Sequence, residues 1–189
     1  LGGYLPMAVY ATQHWAEQLA FGDFDGDQAL DVAVTGSLDQ QWSYRLGDGV
    51  GGFGAEQLIT FGGHGVAVAD WNEDGFDDVV IGQQGGARVY LANGSGGFAA
   101  AQNLQVTAGA QDITAADFDL DGHVDIVYTE ATEGLAYRRG DGLGGFGPEE
   151  FYVAGAGPER VLAADLDGDR FPDLVIDGQK RLTIVYANR

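Results

Sequence analysis

"DFDLDGHVD", residues 117–125, sets Asp117, Asp119, Asp121 and Asp125 within nine positions, with Gly122 in the sixth. Four carboxylates gathered by one turn repel one another unless a counter-ion sits among them. The pattern is not isolated. It recurs as DFDGDQALD (23–31), DWNEDGFDD (70–78) and DLDGDRFPD (165–173), with starts spaced by 47, 47 and 48 residues. A fixed period of that size marks solenoids and propellers.

Working outward, each loop follows a short run of small apolar residues: LAFG (19–22), VAVA (66–69), ITAA (113–116) and VLAA (161–164). A β-branched run follows it: VAV (32–34), VVI (79–81), IVY (126–128) and LVI (174–176). Such runs bounded by turn residues predict strands A and B buried on both faces, with the acidic loop as their hairpin. A third run comes next: WSYRL (42–46), ARVYL (87–91), LAYRR (135–139) and LTIVY (182–186). In three repeats a Gly-rich turn ending in Phe53, Phe98 or Phe146 then leads to a fourth run. Four strands per period fit one propeller blade, so the fold class is an all-β propeller of four four-stranded blades, one domain over 1–189.

Residues 2–23 align with 144–165, glycines and aromatic in register, so the chain opens on a D strand and stops after a C strand. The N-terminal strand, about 4–10, is therefore expected to close the last blade and remove two open sheet edges. Closure within one chain gives a four-bladed monomer, and exchange between two chains gives a homodimer forming an eight-bladed ring. A fragment of a larger propeller is the third possibility.

The formal charge is −20, and 15 Asp occupy positions 1, 3, 5 and 9 of the four loops, so most of the excess charge belongs to one kind of local site. An acidic surface of this kind repels nucleic acid and anionic membranes. No apolar run approaches the roughly 20 residues that span a bilayer, so membrane insertion is not expected. With no Cys there are neither disulfides nor thiolate metal sites. The chain starts at Leu1 with no signal-like segment, which reads as a mature or excised product.

Oxygens at positions 1, 3, 5 and 9 of a tight loop suit a hard cation, and calcium best. The expected metal ligands are Asp23, Asp25, Asp27 and Asp31; Asp70, Asn72, Asp74 and Asp78; Asp117, Asp119, Asp121 and Asp125; and Asp165, Asp167, Asp169 and Asp173. Backbone carbonyls at position 7, on Ala29, Phe76, His123 and Phe171, would add a fifth ligand, giving about four ions per chain. Gly75 and Gly122 supply a permissive position 6, whereas Gln28 and Arg170 stand there in the other two loops. Those two have Gly26 and Gly168 at position 4, an arrangement expected to relocate the strain.

The Asp-x-Asp-x-Asp-Gly-x-x-Asp loops, with "GDGLGGFG"-type turns at this spacing, resemble the FG-GAP/VCBS repeat family over the whole chain. The resemblance implies a calcium-binding β-propeller, as in integrin α-subunits, in some lectins and beside polysaccharide-degrading enzymes. By position it assigns the acidic sets above to calcium. Asn72 for Asp and the two loops without glycine at position 6 depart from the pattern. It implies a secreted or extracellular, non-catalytic recognition module, lectin-like or adhesive, with a glycan or protein ligand. The alternative is an accessory propeller of a larger secreted polysaccharide-active enzyme.

Other motifs yield less. GVGGFG (49–54) and GLGGFG (142–147) match a dinucleotide fingerprint but lack the βαβ setting it needs. Arg139-Gly140-Asp141 spells an adhesion tripeptide inside the repeat consensus. No nucleophile with a base can be assembled, so no catalytic residue is assigned. Scaffold positions repeat and recognition positions diverge, which favours the D–A and B–C loops as the ligand face. The candidates there are His14, Trp15, Trp42, His64 and Arg160, the tryptophans serving either a ligand or blade-edge packing.

Overall fold

A computed structural model describes residues 7–36, 38, 41–130, 134–153, 157–178 and 180–187. The described residues form fifteen strands and no helix. Blade one is β1 (Leu19–Gly22), β2 (Asp31–Gly36), β3 (Gln41–Arg45) and β4 (Gln57–Ile59). Blade two is β5 (Gly65–Ala69), β6 (Asp78–Gln83), β7 (Gly86–Tyr90) and β8 (Gln102–Leu104). Blade three is β9 (Ile113–Ala116), β10 (Asp125–Thr129), β11 (Gly134–Arg138) and β12 (Glu150–Val153). Blade four is β13 (Arg160–Ala164), β14 (Asp173–Gly178) and β15 (Arg181–Val185). Strands pair in chain order and antiparallel within every sheet, giving a propeller of four blades.

The repeat dictates which side chains meet. Four residues before each acidic loop stand Leu19, Val66, Ile113 and Val161, and the last three face the preceding blade. Three before stand Ala20, Ala67, Thr114 and Leu162, on the opposite face of their strands. Cross-strand register extends this following face into the rows Ala20–Ala33–Tyr44, Ala67–Val80–Val89, Thr114–Val127–Tyr137 and Leu162–Val175–Ile184. The core is thus three separate interfaces. Blades one and two enclose Phe24, Ala33, Trp42, Val66, Val79 and Ile81. Blades two and three enclose Trp71, Val80, Ile113, Ile126 and Tyr128. Among the described residues, blades three and four bury only Val127, Leu135, Val161 and Ile176, with Phe118, Tyr137 and Leu174 half-buried against them. Each fully buried Val or Ile contributes about 1.5–3 kcal/mol, so the last interface is the thinnest.

The C–D turn aromatics wedge these interfaces. Phe98 lies against Phe24, ring centroids 5.4 Å apart, and Phe146 against Trp71 at 5.9 Å. Each therefore meets position 2 of the preceding blade's acidic loop, as expected of a plug beneath the turn. Tyr4, the corresponding residue at the N-terminus, lies outside the described residues.

Two faces stay bare. Leu19 is 60 % exposed where Val66, Ile113 and Val161 are buried, and Leu162 is 67 % exposed where Ala67 is buried. Inner strands β1 and β5, β5 and β9, and β9 and β13 pack side by side, whereas β13 and β1 make no comparable contact among the described residues. On its side away from β14, β15 has no neighbouring strand among the described residues.

The expected closing strand is only partly visible. Residues 4–6 lie outside the described residues, and residues 7–10 form no strand. The chain just after them is held on blade one instead. Arg45 Nη2 donates to Ala11 O at 2.6 Å, Gln13 N donates to Glu56 Oε2 at 3.1 Å, and Tyr10 packs edge-on to Phe53. Blade three is held in the same way: Arg138 donates to Gln105 O, and Thr107 N donates to Glu149 Oε1. Residues 11–13 thus repeat the tether of residues 105–107, which directly follow strand β8.

Candidate metal centre

Each acidic loop closes on its own carboxylates, because side-chain oxygens cap the backbone N–H groups that the turn turns inward. Position 1 takes two: Asp23 accepts from Gly26 and Gln28 at 2.7 and 2.8 Å, and Asp117 from Asp121 and Gly122 at 3.1 and 3.0 Å. Asp70 and Asp165 do the same for Asp74 and Gly75, and for Gly168 and Arg170. Position 5 accepts the N–H of position 7 in every loop, from Asp27–Ala29 to Asp169–Phe171.

The backbone at positions 4 and 6 corrects the expectation of relocated strain. Both positions have positive φ in all four loops: Gly26 (79°) and Gln28 (69°), Glu73 (58°) and Gly75 (91°), Leu120 (58°) and Gly122 (98°), Gly168 (84°) and Arg170 (82°). The turn needs two left-handed residues, and each loop supplies one glycine and one residue with a Cβ. The strain is halved, not moved, at a cost of roughly 1–2 kcal/mol per non-glycine position.

Position 9 has a role that the spacing alone did not reveal. Asp31, Asp78, Asp125 and Asp173 are the first residues of β2, β6, β10 and β14, and all are buried. Each accepts one N–H from its acidic loop and one from the C–D side of its blade. The donors are Phe24 and Gly47 for Asp31, Trp71 and Ala92 for Asp78, Phe118 and Gly140 for Asp125, and Leu166 and Ala187 for Asp173, all within 3.1 Å. Burial pushes Asp78 up to about 6, and the like charges of Asp74 and Asp70 add to it. Burial raises Asp31 and Asp125 in the same direction.

In three loops the carboxylates converge. One oxygen each from Asp23, Asp25 and Asp27 lies within 4.8 Å of the others, as do those of Asp117, Asp119 and Asp125 and those of Asp165, Asp167 and Asp173. In the second loop Asn72 takes the acid's place, and its Nδ2 donates to Asp74 Oδ2 at 2.9 Å. The donor sets are all oxygen and anionic, which fits a hard divalent cation.

The remaining candidates separate clearly. Trp42 is fully buried, packed on Tyr44, Tyr90 and Phe98, so it is core and not a ligand contact. His14 is buried too, its Nε2 2.8 Å from Ser43 Oγ. Both expectations of ligand binding fail for one reason: these side chains fill the blade. Trp15 is 69 % exposed, Arg160 is exposed, and His64 Nδ1 pairs with Glu17 Oε1 at 3.0 Å. In the Arg139-Gly140-Asp141 tripeptide, Arg139 pairs with Asp119, while Asp141 Oδ1 caps Leu143 N and Gly145 N. Its charges serve the scaffold. A groove of about 560 Å³ lies between blades three and four, with Phe118, Tyr137 and Tyr152 on one side and Leu174 and Val185 on the other.

Comparisons with known proteins agree with this architecture. The model of the FG-GAP-like repeat matches residues 23–81, 70–128 and 117–176. Human integrin alpha-IIb is 33 % identical over 82 residues, which cover 39 % of this chain and 8 % of the integrin. Among solved structures, an Agrocybe aegerita lectin described for specific recognition of non-reducing terminal N-acetylglucosamine superposes with a TM-score of 0.64 at 22 % identity. That match covers 89 % of this chain and 48 % of the lectin. BBS1N, in its complex with ARL6DN, superposes with a TM-score of 0.63 at 9 % identity, covering 93 % of this chain and 58 % of that one. The chain therefore spans about half the length of these structural neighbours and a small part of the integrin. With three overlapping copies of the repeat across most of its length, the chain belongs to the FG-GAP-like repeat family.

Proposed function

We propose that this propeller is a non-catalytic recognition module that binds calcium in its acidic loops and a glycan or protein on its D–A/B–C loop face. The observation that carries the recognition reading is Trp15, a large aromatic left exposed on that face while Trp42 and Trp71 are buried. Exposed aromatics beside polar groups suit sugar rings and protein hot spots. His64, Glu17 and Arg160 supply polar groups on the same loops. The lectin neighbour and the integrin relative support binding to glycan or protein. An extracellular setting belongs to this reading, since extracellular modules bind calcium at about 0.1–1 mM.

Calcium would be held by the position 1, 3, 5 and 9 side chains and the position 7 carbonyls of Ala29, Phe76, His123 and Phe171. Bound there, it would neutralise the loop carboxylates and lock the A–B hairpins. The test is a glycan array and a protein-binding screen, run with calcium and with EDTA, on the parent chain and on Trp15→Ala. Binding to one ligand class that Trp15→Ala loses is expected. Binding unchanged by Trp15→Ala, or none to either class, would overturn the reading.

A further inference from the structure

The acidic loops touch one another across the blade interfaces. At two interfaces, residue 7 of one loop reaches residue 4 of the loop before it. The Phe76 ring lies against Gly26, where a Cβ would stand 2.5 Å from a ring carbon, and His123 Nδ1 pairs with Glu73 Oε1. Both side chains also lie against the C–D turn of their own blade, Phe76 at Gly94 and His123 at Gly142. Loops one, two and three are thus joined through residues whose own carbonyls are expected calcium ligands.

Loops one and two share a second link. Asp77 N donates to Asp23 O at 2.9 Å, and Asp23 N donates to Asp77 Oδ2 at 2.9 Å. Asp77 stands at position 8, where the other loops have Leu30, Val124 and Pro172. Loop one departs from the repeat in a matching way. The residue before its position 1 is Gly22, where the other repeats have Ala69, Ala116 and Ala164. A Cβ on Gly22 would lie 2.8 Å from Asp77 Oδ2 and 2.4 Å from Val68 Cγ1, so glycine is what lets the loops come this close. Two departures from the repeat, one in each loop, therefore make one contact.

We propose that Asp77 is a positioning residue for calcium in loop one, so that loops one and two bind calcium with positive cooperativity. Asp77 lies between Phe76 and Asp78, the position 7 and position 9 ligands expected in loop two. With both neighbours fixed by an ion, Asp77 is held in place as well. It in turn holds the backbone N–H and C=O of Asp23, whose carboxylate closes loop one on Gly26 N and Gln28 N. Ordering either loop lowers the entropy cost of ordering the other, and the effect is reciprocal. Repulsion between two bound ions opposes it, but these loops are exposed, so salt screens the repulsion and leaves the hydrogen bonds in place. The inference rests on calcium occupying the loops.

A calcium titration of the full chain in about 0.15 M salt tests it. The amide NMR signals of Gly26 and Gly75, each capped by its own loop's position 1 carboxylate, read loops one and two separately. Asp74→Ala removes a ligand of loop two and should weaken binding at loop one by about five-fold or more, and Asp27→Ala should weaken loop two likewise. Asp77→Ala should itself weaken loop one, and in its background the effect of Asp74→Ala on loop one should shrink. Asp77→Asn keeps an oxygen for Asp23 N and should retain the coupling, which a role of charge alone would not allow. A smaller change at either loop, an effect undiminished by Asp77→Ala, or coupling lost in Asp77→Asn overturns the proposal while leaving calcium binding intact. Amide signals that do not move with calcium at all overturn the calcium reading itself, and the coupling with it.

Discussion

Gln18 Nε2 donates to Asp112 Oδ1 at 2.7 Å, joining the head of β1 to the head of β9 past the whole of blade two. Asp112 Oδ2 also accepts Val161 N at 2.7 Å, so one carboxylate ties blades one, three and four. Burial raises Asp112 above its ordinary 3.8, and hydrogen bonds from Val161 and Gln18 and the charge of Arg160 oppose the shift. A raised folded value means that the fold prefers the protonated form. The associated stability is full below the unfolded value and is lost as pH rises through the folded one. Asp112→Asn should therefore be at least as stable as the parent at pH 7, with Gln18 turning its amide to offer oxygen. The stability difference between the two should shrink toward pH 4, read by denaturant melts. A loss above about 1.5 kcal/mol at pH 7 would show that the charge is needed.

Calcium removal should lower the melting temperature markedly. Each ion bound only by the fold adds about 1.4–2.7 kcal/mol at ten to a hundred times its dissociation constant. Asp121→Ala should remove one ion, counted by calorimetric titration. A chelated sample that melts within a degree or two of the loaded one refutes calcium as a structural ligand.

The paired left-handed positions predict an ordering of glycine substitutions. A Cβ on Gly75 would meet nothing within 4 Å, whereas on Gly26 it would lie 2.5 Å from a ring carbon of Phe76. Gly75→Ala should therefore cost roughly 1–2 kcal/mol for its φ alone, and Gly26→Ala more. Gln28→Gly relieves the same strain, so it should be neutral or stabilising. Thermal melts of the three variants should preserve this order, and equal losses at Gly26 and Gly75 would argue against the contact with Phe76.

The two tryptophans should behave oppositely. Trp42→Ala empties the aromatic cluster between blades one and two and should cost about 3–5 kcal/mol. Trp15→Ala should leave the melting temperature nearly unchanged while weakening ligand binding. Matched thermal and binding measurements on both variants check this.

The sequence made the blades legible because each acidic loop fixes the start of a B strand, and 47-residue spacing fixes the rest. The register of Leu19, Val66, Ile113 and Val161 could be aligned, but not which of them would be left bare. That depends on whether a neighbouring blade is present, which local pattern does not encode. His14 and Trp42 misled for a related reason. Each is absent from the other repeats, which suggested recognition, yet a single repeat can also use a unique residue for its own packing. Trp42 sits opposite Thr35 in the sheet, on the face turned to blade two. Position 9 was read as a ligand position only. Its second task, holding the C–D side, needs a partner 14–16 residues away that no motif marks.

That second task turns four backbone amides into reporters. Gly47, Ala92, Gly140 and Ala187 each give their hydrogen to a carboxylate rooted in an acidic loop. Their exchange with deuterated solvent can occur only when that carboxylate lets go. Loosening of an individual loop should thus be visible at a site remote in sequence, one amide per blade. Unlike a global melt, such protection factors would read the four loops one at a time.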